Sequence, residues 1–154
     1  MIIQYHRVRE DAVRPTRGHP SDAGLDVYYC PADFSTMACR LDPGETALLE
    51  TGLRFEVPHG YMLEVKNRSS VAAKRSLIVG ACVIDSGYAG EVFVNLHNIG
   101  NETQYVERDT KIAQLVMLSV VPFRAWENTG GELYEYPVTI SARGEGALGS
   151  TDEG

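Results

Sequence analysis

Leu53-Arg54-Phe55-Glu56-Val57-Pro58-His59-Gly60-Tyr61-Met62-Leu63-Glu64-Val65-Lys66 decides the fold class of this chain. Leu53, Phe55 and Val57 alternate with charged residues, as do Leu63 and Val65 after the break. Alternation with period two marks strands with one buried face. Pro58-His59-Gly60 punctuates the two runs, so the stretch predicts a β-hairpin. Working outward, Val83-Ile84 leads into Asp85-Ser86-Gly87, and Val92, Val94 and Leu96 follow, which predicts a second hairpin. Ile112 to Leu118 is more continuously apolar, as expected of a strand buried on both faces. One stretch alone reads as helical: Ser69-Ser70 ahead of Val71-Ala72-Ala73-Lys74-Arg75, a serine cap before a short turn of helix. Many short strands in one domain predict an all-β subunit of the sandwich or jelly-roll kind, with one short helix. Residues 1–140 are expected to form that domain. Residues 141–154, rich in Gly, Ser and Thr without apolar periodicity, are expected to form a flexible glycine-rich C-terminal arm.

Composition narrows the function classes. The chain has 154 residues, which suits one domain. A formal net charge of −7 argues against general nucleic-acid binding, which depends on Lys and Arg neutralising phosphates. It leaves room for a single nucleotide held by a few local cations and a metal. Cys30, Cys39 and Cys82 are an odd set without Cys-x-x-Cys spacing, so neither a disulfide framework nor a structural zinc site is expected. The N-terminus lacks the apolar run of a signal peptide, and no run is long enough for a membrane span. These features predict an intracellular setting: cytoplasmic, or nuclear in a eukaryotic or viral context.

Some residues invite a chemical reading beside a bland one. The start of a helix exposes unpaired N–H groups that favour phosphate, and Arg68 stands just before Ser69 and Ser70. The alternative is a solvated cap beside a surface arginine. Gly144-Glu145-Gly146-Ala147-Leu148-Gly149 matches a dinucleotide fingerprint in letters, but no strand–helix unit surrounds it and the match is rejected. Its glycines, with Arg143 beside them, can still let backbone N–H groups approach a phosphate. Asp85 sits at a predicted bend, where an aspartate ordinarily caps backbone. Asp26 interrupts the strand-like run Leu25–Tyr29, so it faces water or has a function. Histidines 6, 19, 59 and 97 have no ligand spacing, and Trp126 is expected to pack rather than stack.

The order of these segments is more specific than any one of them. The chain reads Asp22-Ala23-Gly24-Leu25-Asp26, then Asn67-Arg68-Ser69-Ser70-Val71, then Val83-Ile84-Asp85-Ser86-Gly87-Tyr88, then Lys111-Ile112-Ala113-Gln114, and finally Arg143 to Thr151. This resembles the five ordered motifs of the trimeric dUTP pyrophosphatase family, over residues 22 to 151. The resemblance implies a jelly-roll subunit, a homotrimer with active sites shared at its interfaces, and magnesium-dependent hydrolysis of dUTP to dUMP and pyrophosphate. That reaction limits uracil incorporation into DNA and supplies dUMP. It implies that Asp85 orients and deprotonates the water that attacks the α-phosphorus. Val83 and Ile84 would present backbone to the uracil edge, and Tyr88 would lie against the deoxyribose and exclude a 2′-hydroxyl. Arg68, Ser69, Ser70 and Gln114 match positions that contact the phosphate chain, and Asp26 matches the carboxylate that meets Mg2+ through water. Arg143, Gly146, Leu148, Gly149 and Ser150 would close over the triphosphate.

Three residues depart from the family pattern. Leu148 replaces an aromatic that stacks on uracil, Ala147 a frequent glycine, and Cys82 another. Two other functions remain compatible with the motifs: a dUTP-responsive sensor that presents its tail to a protein partner, and a dCTP deaminase-related enzyme. Base–aromatic stacking contributes about 1–3 kcal/mol where it occurs. Leu148→Phe is therefore expected to tighten dUTP binding, checked by titration calorimetry; an equal or weaker affinity means the arm covers the base in another way.

Overall fold

The computed structural model describes residues 1–134. Met1–Pro122 form one compact unit, and a second unit begins at Phe123. The boundary expected at 140/141 falls outside the described residues. The first unit is all-β, as its alternating runs require. In chain order it contains β1 (Tyr5–Arg7), β2 (Leu25–Tyr28), β3 (Ala38–Leu41), β4 (Thr46–Glu50), β5 (Leu53–Phe55) and β6 (Tyr61–Lys66). Helix α1 (Ser69–Arg75) follows, then β7 (Leu77–Val79), β8 (Val83–Ile84), β9 (Phe93–Asn98), β10 (Gln104–Glu107) and β11 (Lys111–Ser119).

The strands form a jelly-roll-like set of small antiparallel sheets. One has four strands in the order β2-β11-β6-β8, another three in the order β4-β9-β7, and β1-β5 and β3-β10 pair separately. Their inward faces meet in one core that includes Val27, Leu41, Leu49, Leu53, Leu63, Leu77, Leu96, Val106, Ile112 and Leu115. The alternation read from the sequence is the alternation seen: Leu53 and Phe55 are buried around an exposed Arg54, and Leu63 and Val65 face inward on β6.

Neither predicted hairpin exists as a paired ladder. β5 pairs with β1, whereas β6 pairs with β11 and β8. The turn at Pro58–Gly60, with Gly60 at φ +84°, therefore carries the chain between sheets. In the same way β8 pairs with β6, while β9 pairs with β4 and β7. Period two tells a strand which face to bury; it does not name the partner, and distant strands outcompeted the neighbours. The β11 expectation holds at its start. Ile112 and Ala113 are consecutively buried because a register irregularity between Lys111 and Ala113 lets both reach the core. Further on, Leu118 is exposed.

Helix α1 begins earlier than the serine-cap reading requires. Arg68 is the N-cap, in extended geometry and without a side-chain cap bond, and Ser69 is the first helical residue. Val71 buries the helix against the core, and Ser76 ends it in the left-handed region, donating its N–H to Ala72 O. In the second unit Asn128 and Glu132 close a short turn, and Trp126 is exposed rather than packed.

Core burial dictates how stability responds to alkali. Burial pushes the Tyr29 hydroxyl and the Cys30 and Cys39 thiols above their ordinary pKa values, 9.0 for the thiols. Above that value the unfolded chain releases protons that the folded chain retains, so unfolding free energy falls as pH rises. The contribution is complete below pH 9.0 and is lost as pH climbs through the raised folded values. Urea midpoints are expected to hold steady up to that pH and drop beyond it, with a shallower drop in Cys30→Ala.

Candidate functional site

The four-stranded sheet brings the separated motifs together. β11 lies between β2 and β6, so Gln114 stands opposite Asp26 on one side and Lys66 on the other. The strand β6 runs directly into the Asn67-Arg68 corner that starts α1. As a result Asp22, Ala23, Gly24, Asp26, Arg68, Ser69, Ser70 and Gln114 line one polar cleft of about 250 Å³. Asp26, Arg68, Ser69, Ser70 and Gln114, all singled out from sequence, are thus neighbours in space.

Charge in this cleft is organised by Asp26. Its carboxylate accepts from Arg68 Nε at 2.9 Å through one oxygen and meets Lys111 Nζ at 2.8 Å through the other. Arg68 and Lys111 together offset the Asp26 carboxylate, while Asp22 adds a second carboxylate to the lining. The hydrogen bond to Asp26 is the main reason the Lys111 ammonium titrates above its ordinary value. Lys111 was missed as a functional candidate. Its signal was weak: a lysine three residues before Gln114 has no mark of its own until the fold pairs it with Asp26. The η nitrogens of Arg68 make no hydrogen bond among the described residues, and Ser69 and Ser70 are exposed. These groups can reach phosphate oxygens, the arginine in bidentate fashion.

Gln114 is locked against its surroundings. Its Nε2 donates to Asn67 O at 2.9 Å, and Asn67 Oδ1 accepts from Val79 N at 2.7 Å. Gly24 is required here: a Cβ at that position would lie 2.6 Å from Gln114 Oε1.

Asp85 belongs to a second cleft of about 200 Å³, which Cys82, Val83, Ile84, Tyr88, Glu91 and Leu48 also line. It follows the edge strand β8, in a turn closed by Tyr88 N donating to Asp85 O at 3.2 Å, with Gly87 at φ +85°. Its side chain is exposed and makes no hydrogen bond among the described residues. Asp33, by contrast, caps Ser35 through both the backbone N–H and the hydroxyl. The bland expectation of a backbone-capping aspartate therefore describes Asp33 and not Asp85. Across the turn, Asp85 also borders a cleft with His59, Gly60 and Met62. A larger cleft, about 450 Å³, is lined by Tyr5, His6, Arg54, Phe55 and others, and shares Tyr88 alone with the candidate residues. It holds none of the candidate phosphate ligands, so volume does not identify the reactive centre here.

The two candidate clefts are separate in one subunit. Ile84 is two strands and three residues away from Gln114, which at ordinary sheet spacings is about 14 Å. Arg143, Gly146, Leu148, Gly149 and Ser150 lie outside the described residues.

The sequence profile of the dUTPase family matches residues 10–133. A Streptomyces avermitilis protein named deoxyuridine 5′-triphosphate nucleotidohydrolase is 38% identical over 152 residues, covering 97% of this chain and 79% of its own. One of the same name from Alkaliphilus metalliredigens is 35% identical, covering 97% and 96%. Among solved structures, the Staphylococcus bacteriophage 80alpha dUTPase with dUPNHPP superposes with a TM-score of 0.82 at 24% identity, covering 97% of each chain. A phage phi11 dUTPase mutant, whose structure reveals the coordination of a structural Mg(II) ion, gives 0.74 at 23% identity, covering 84% and 97%.

The tight approach at Gly24 has a measurable consequence. Gly24→Ala is expected to cost about 1–3 kcal/mol by overpacking. Adding Gln114→Ala should recover part of that loss by removing the clashing amide. Chemical denaturation of the single and double variants checks this; strictly additive effects mean the two residues do not oppose each other.

Proposed function

The chain belongs to the dUTPase family, and on that premise we propose that it hydrolyses dUTP to dUMP and pyrophosphate, with Asp85 activating the attacking water. The carrying observation is that Asp85 is held in a defined turn with its carboxylate exposed and uncommitted, beside an edge strand, in a chain of this family. An edge strand has one row of backbone N–H and C=O groups without partners. Val83 and Ile84 can therefore offer that row to the uracil edge, as a neighbouring strand would be read. Tyr88 lies along the deoxyribose. Its hydroxyl already donates to Glu91 O at 2.9 Å, so it has no proton to offer a 2′-hydroxyl, and the ring excludes one sterically.

The phosphate chain is held by Arg68, Ser69, Ser70 and Gln114. Asp85 accepts the proton of a water placed in line with the α-phosphorus, and pyrophosphate leaves. The arginine guanidinium and the serine hydroxyls stabilise the charge that gathers on the phosphate oxygens. Arg143, Gly146, Leu148, Gly149 and Ser150 are assigned to an arm that closes over the triphosphate.

Magnesium fits the residues of the polar cleft. Among the described residues no cluster of three or more His, Cys, Asp or Glu could cage a metal, and both Asp26 oxygens already hold cations. Mg2+ commonly keeps its waters and binds through substrate phosphates with few carboxylates, so Asp26 would meet it through water. When bound, the ion supplies neutralisation of the triphosphate charge.

A single subunit keeps the Asp85 turn apart from the Arg68 cleft, because Ile84, which precedes Asp85, lies about 14 Å from Gln114 on the sheet. A homotrimer whose active sites take Asp85 from one chain and Arg68 from another resolves this. Exposed apolar side chains such as Leu48 and Val83, both on the Asp85 cleft, are the surface such an assembly would cover. Among the described residues no helix is long and apolar enough to cross a membrane. The three free thiols suit the reduced intracellular setting we assign.

Pyrophosphate release from dUTP, dTTP, dCTP and UTP tests the proposal. Activity is expected on dUTP alone, abolished by EDTA and restored by Mg2+. Asp85→Asn should lower kcat at least about 100-fold with the trimer retained on gel filtration. Binding of dUTP without pyrophosphate release favours a sensor, and loss of ammonia from dCTP favours a deaminase.

A further inference from the structure

The segment that carries Tyr88 is exposed from Asp85 to Ala89, yet a steric filter works only if it does not yield. Its one firm fixture downstream is Glu91. Arg9 grips the Glu91 carboxylate with both η nitrogens, at 3.1 and 2.9 Å, and the same carboxylate accepts from Gly52 N at 2.6 Å. Arg9 also donates to Cys30 O at 2.6 Å. Glu91 is thereby tied to three segments remote in sequence. The next residue, Val92, is buried, donates to Leu53 O at 2.8 Å and accepts from Thr51 Oγ1 at 2.6 Å.

Tyr88 is fastened to this node. Its hydroxyl donates to the Glu91 carbonyl, and its ring lies so close over Gly90 that a Cβ there would meet the hydroxyl oxygen at 2.4 Å. Space around the node is equally tight: a Cβ on Gly52, itself at φ +69°, would sit 2.6 Å from Ala12 Cβ and 3.2 Å from Arg9 Nη2. The arrangement is costly, since Arg9 Nε is buried without a partner among the described residues. An ion pair largely removed from water is a weak source of net stability, which leaves the geometry it imposes on this segment as its consequence.

We infer that Arg9 and Glu91 are positioning residues for sugar discrimination: their ion pair fixes the backbone carbonyl that anchors Tyr88, and so stiffens the ring against a 2′-hydroxyl. The inference rests on the reading of Tyr88 given above. Both act through the Tyr88 anchor, since the Glu91 carboxylate is already taken up by Arg9 and Gly52 N. Loosening the node leaves Asp85 and the phosphate ligands in place and lets the tyrosine swing aside.

The test is the ratio of kcat/KM for dUTP to that for UTP in the intact oligomer. Arg9→Met keeps the length of the side chain and removes the charge, Glu91→Gln weakens the pair, and Tyr88→Phe deletes the anchoring hydroxyl at an exposed position that poses no folding risk. Each is expected to lower the ratio about tenfold or more, through KM for dUTP and gain on UTP, and for Arg9→Met kcat for dUTP is expected to change less than about threefold. Arg9→Lys, with a single-pronged contact, should fall between. A merely structural pair would lower melting temperature and both activities together at constant ratio, and that result overturns the inference. So does an undiminished ratio in Tyr88→Phe. Tyr88→Ala separates the premise: if it discriminates like wild type, the steric reading of Tyr88 is wrong, whereas if it alone loses discrimination the anchor is unnecessary.

Discussion

Hydrogen bonding of β11 to a strand on each side sets Gln114 opposite Asp26 and fixes where every polar group of the cleft stands. Side chains alternate faces along a strand, so a slip of one residue would send Gln114 to the wrong side and bring its apolar neighbours into the cleft. The buried positions Ile112, Ala113 and Leu115 prevent that slip, because it would expose them. Core packing and site geometry are thus one constraint. The register irregularity after Lys111 belongs to it as well, since Lys111 reaches the Asp26 carboxylate from the same strand.

The two candidate clefts differ in chemistry. The Asp26–Arg68–Ser69 cleft is polar, and its Arg68 η nitrogens and exposed serine hydroxyls suit phosphate. The Asp85 cleft is lined largely by apolar side chains such as Leu48, Val65 and Phe93, and is bordered by an edge strand with free backbone groups, suited to a flat base and a sugar. A nucleoside triphosphate needs both environments. Their separation on one sheet is what the proposed trimer accounts for. Rigidity is distributed in the same way: Asn67 holds Gln114, and the node at Arg9 and Glu91 holds the segment bearing Tyr88.

Much of this was legible in the residues. Alternation identified the strands around Leu53, Leu63 and Val94, because burial of one face is a local consequence of period two. The motif order placed Asp26, Arg68, Ser69, Ser70 and Gln114 in one functional group, and the fold puts them in one cleft. The short helix was legible too, although its cap fell on Arg68 because Ser69 turned into the first turn itself. The hairpins were not. Adjacent strands in sequence are a good first guess for pairing, and here the connections at Pro58–Gly60 and Asp85–Val92 cross between sheets instead.

The chain by itself determined an all-β class and a bend at Asp85, since both follow from periodicity and residue type over a few positions, while the grouping of Asp26, Arg68, Ser69, Ser70 and Gln114 came from the resemblance carried by the ordered motifs. Tertiary structure alone decided which strands pair, that Lys111 shares Asp26 with Arg68, and that Arg9 clamps Glu91 across 82 residues. The physical reason is range. Backbone preference and face burial act between near neighbours, whereas ion pairs and ladder partners depend on where the folded backbone returns, and no local pattern carries that information.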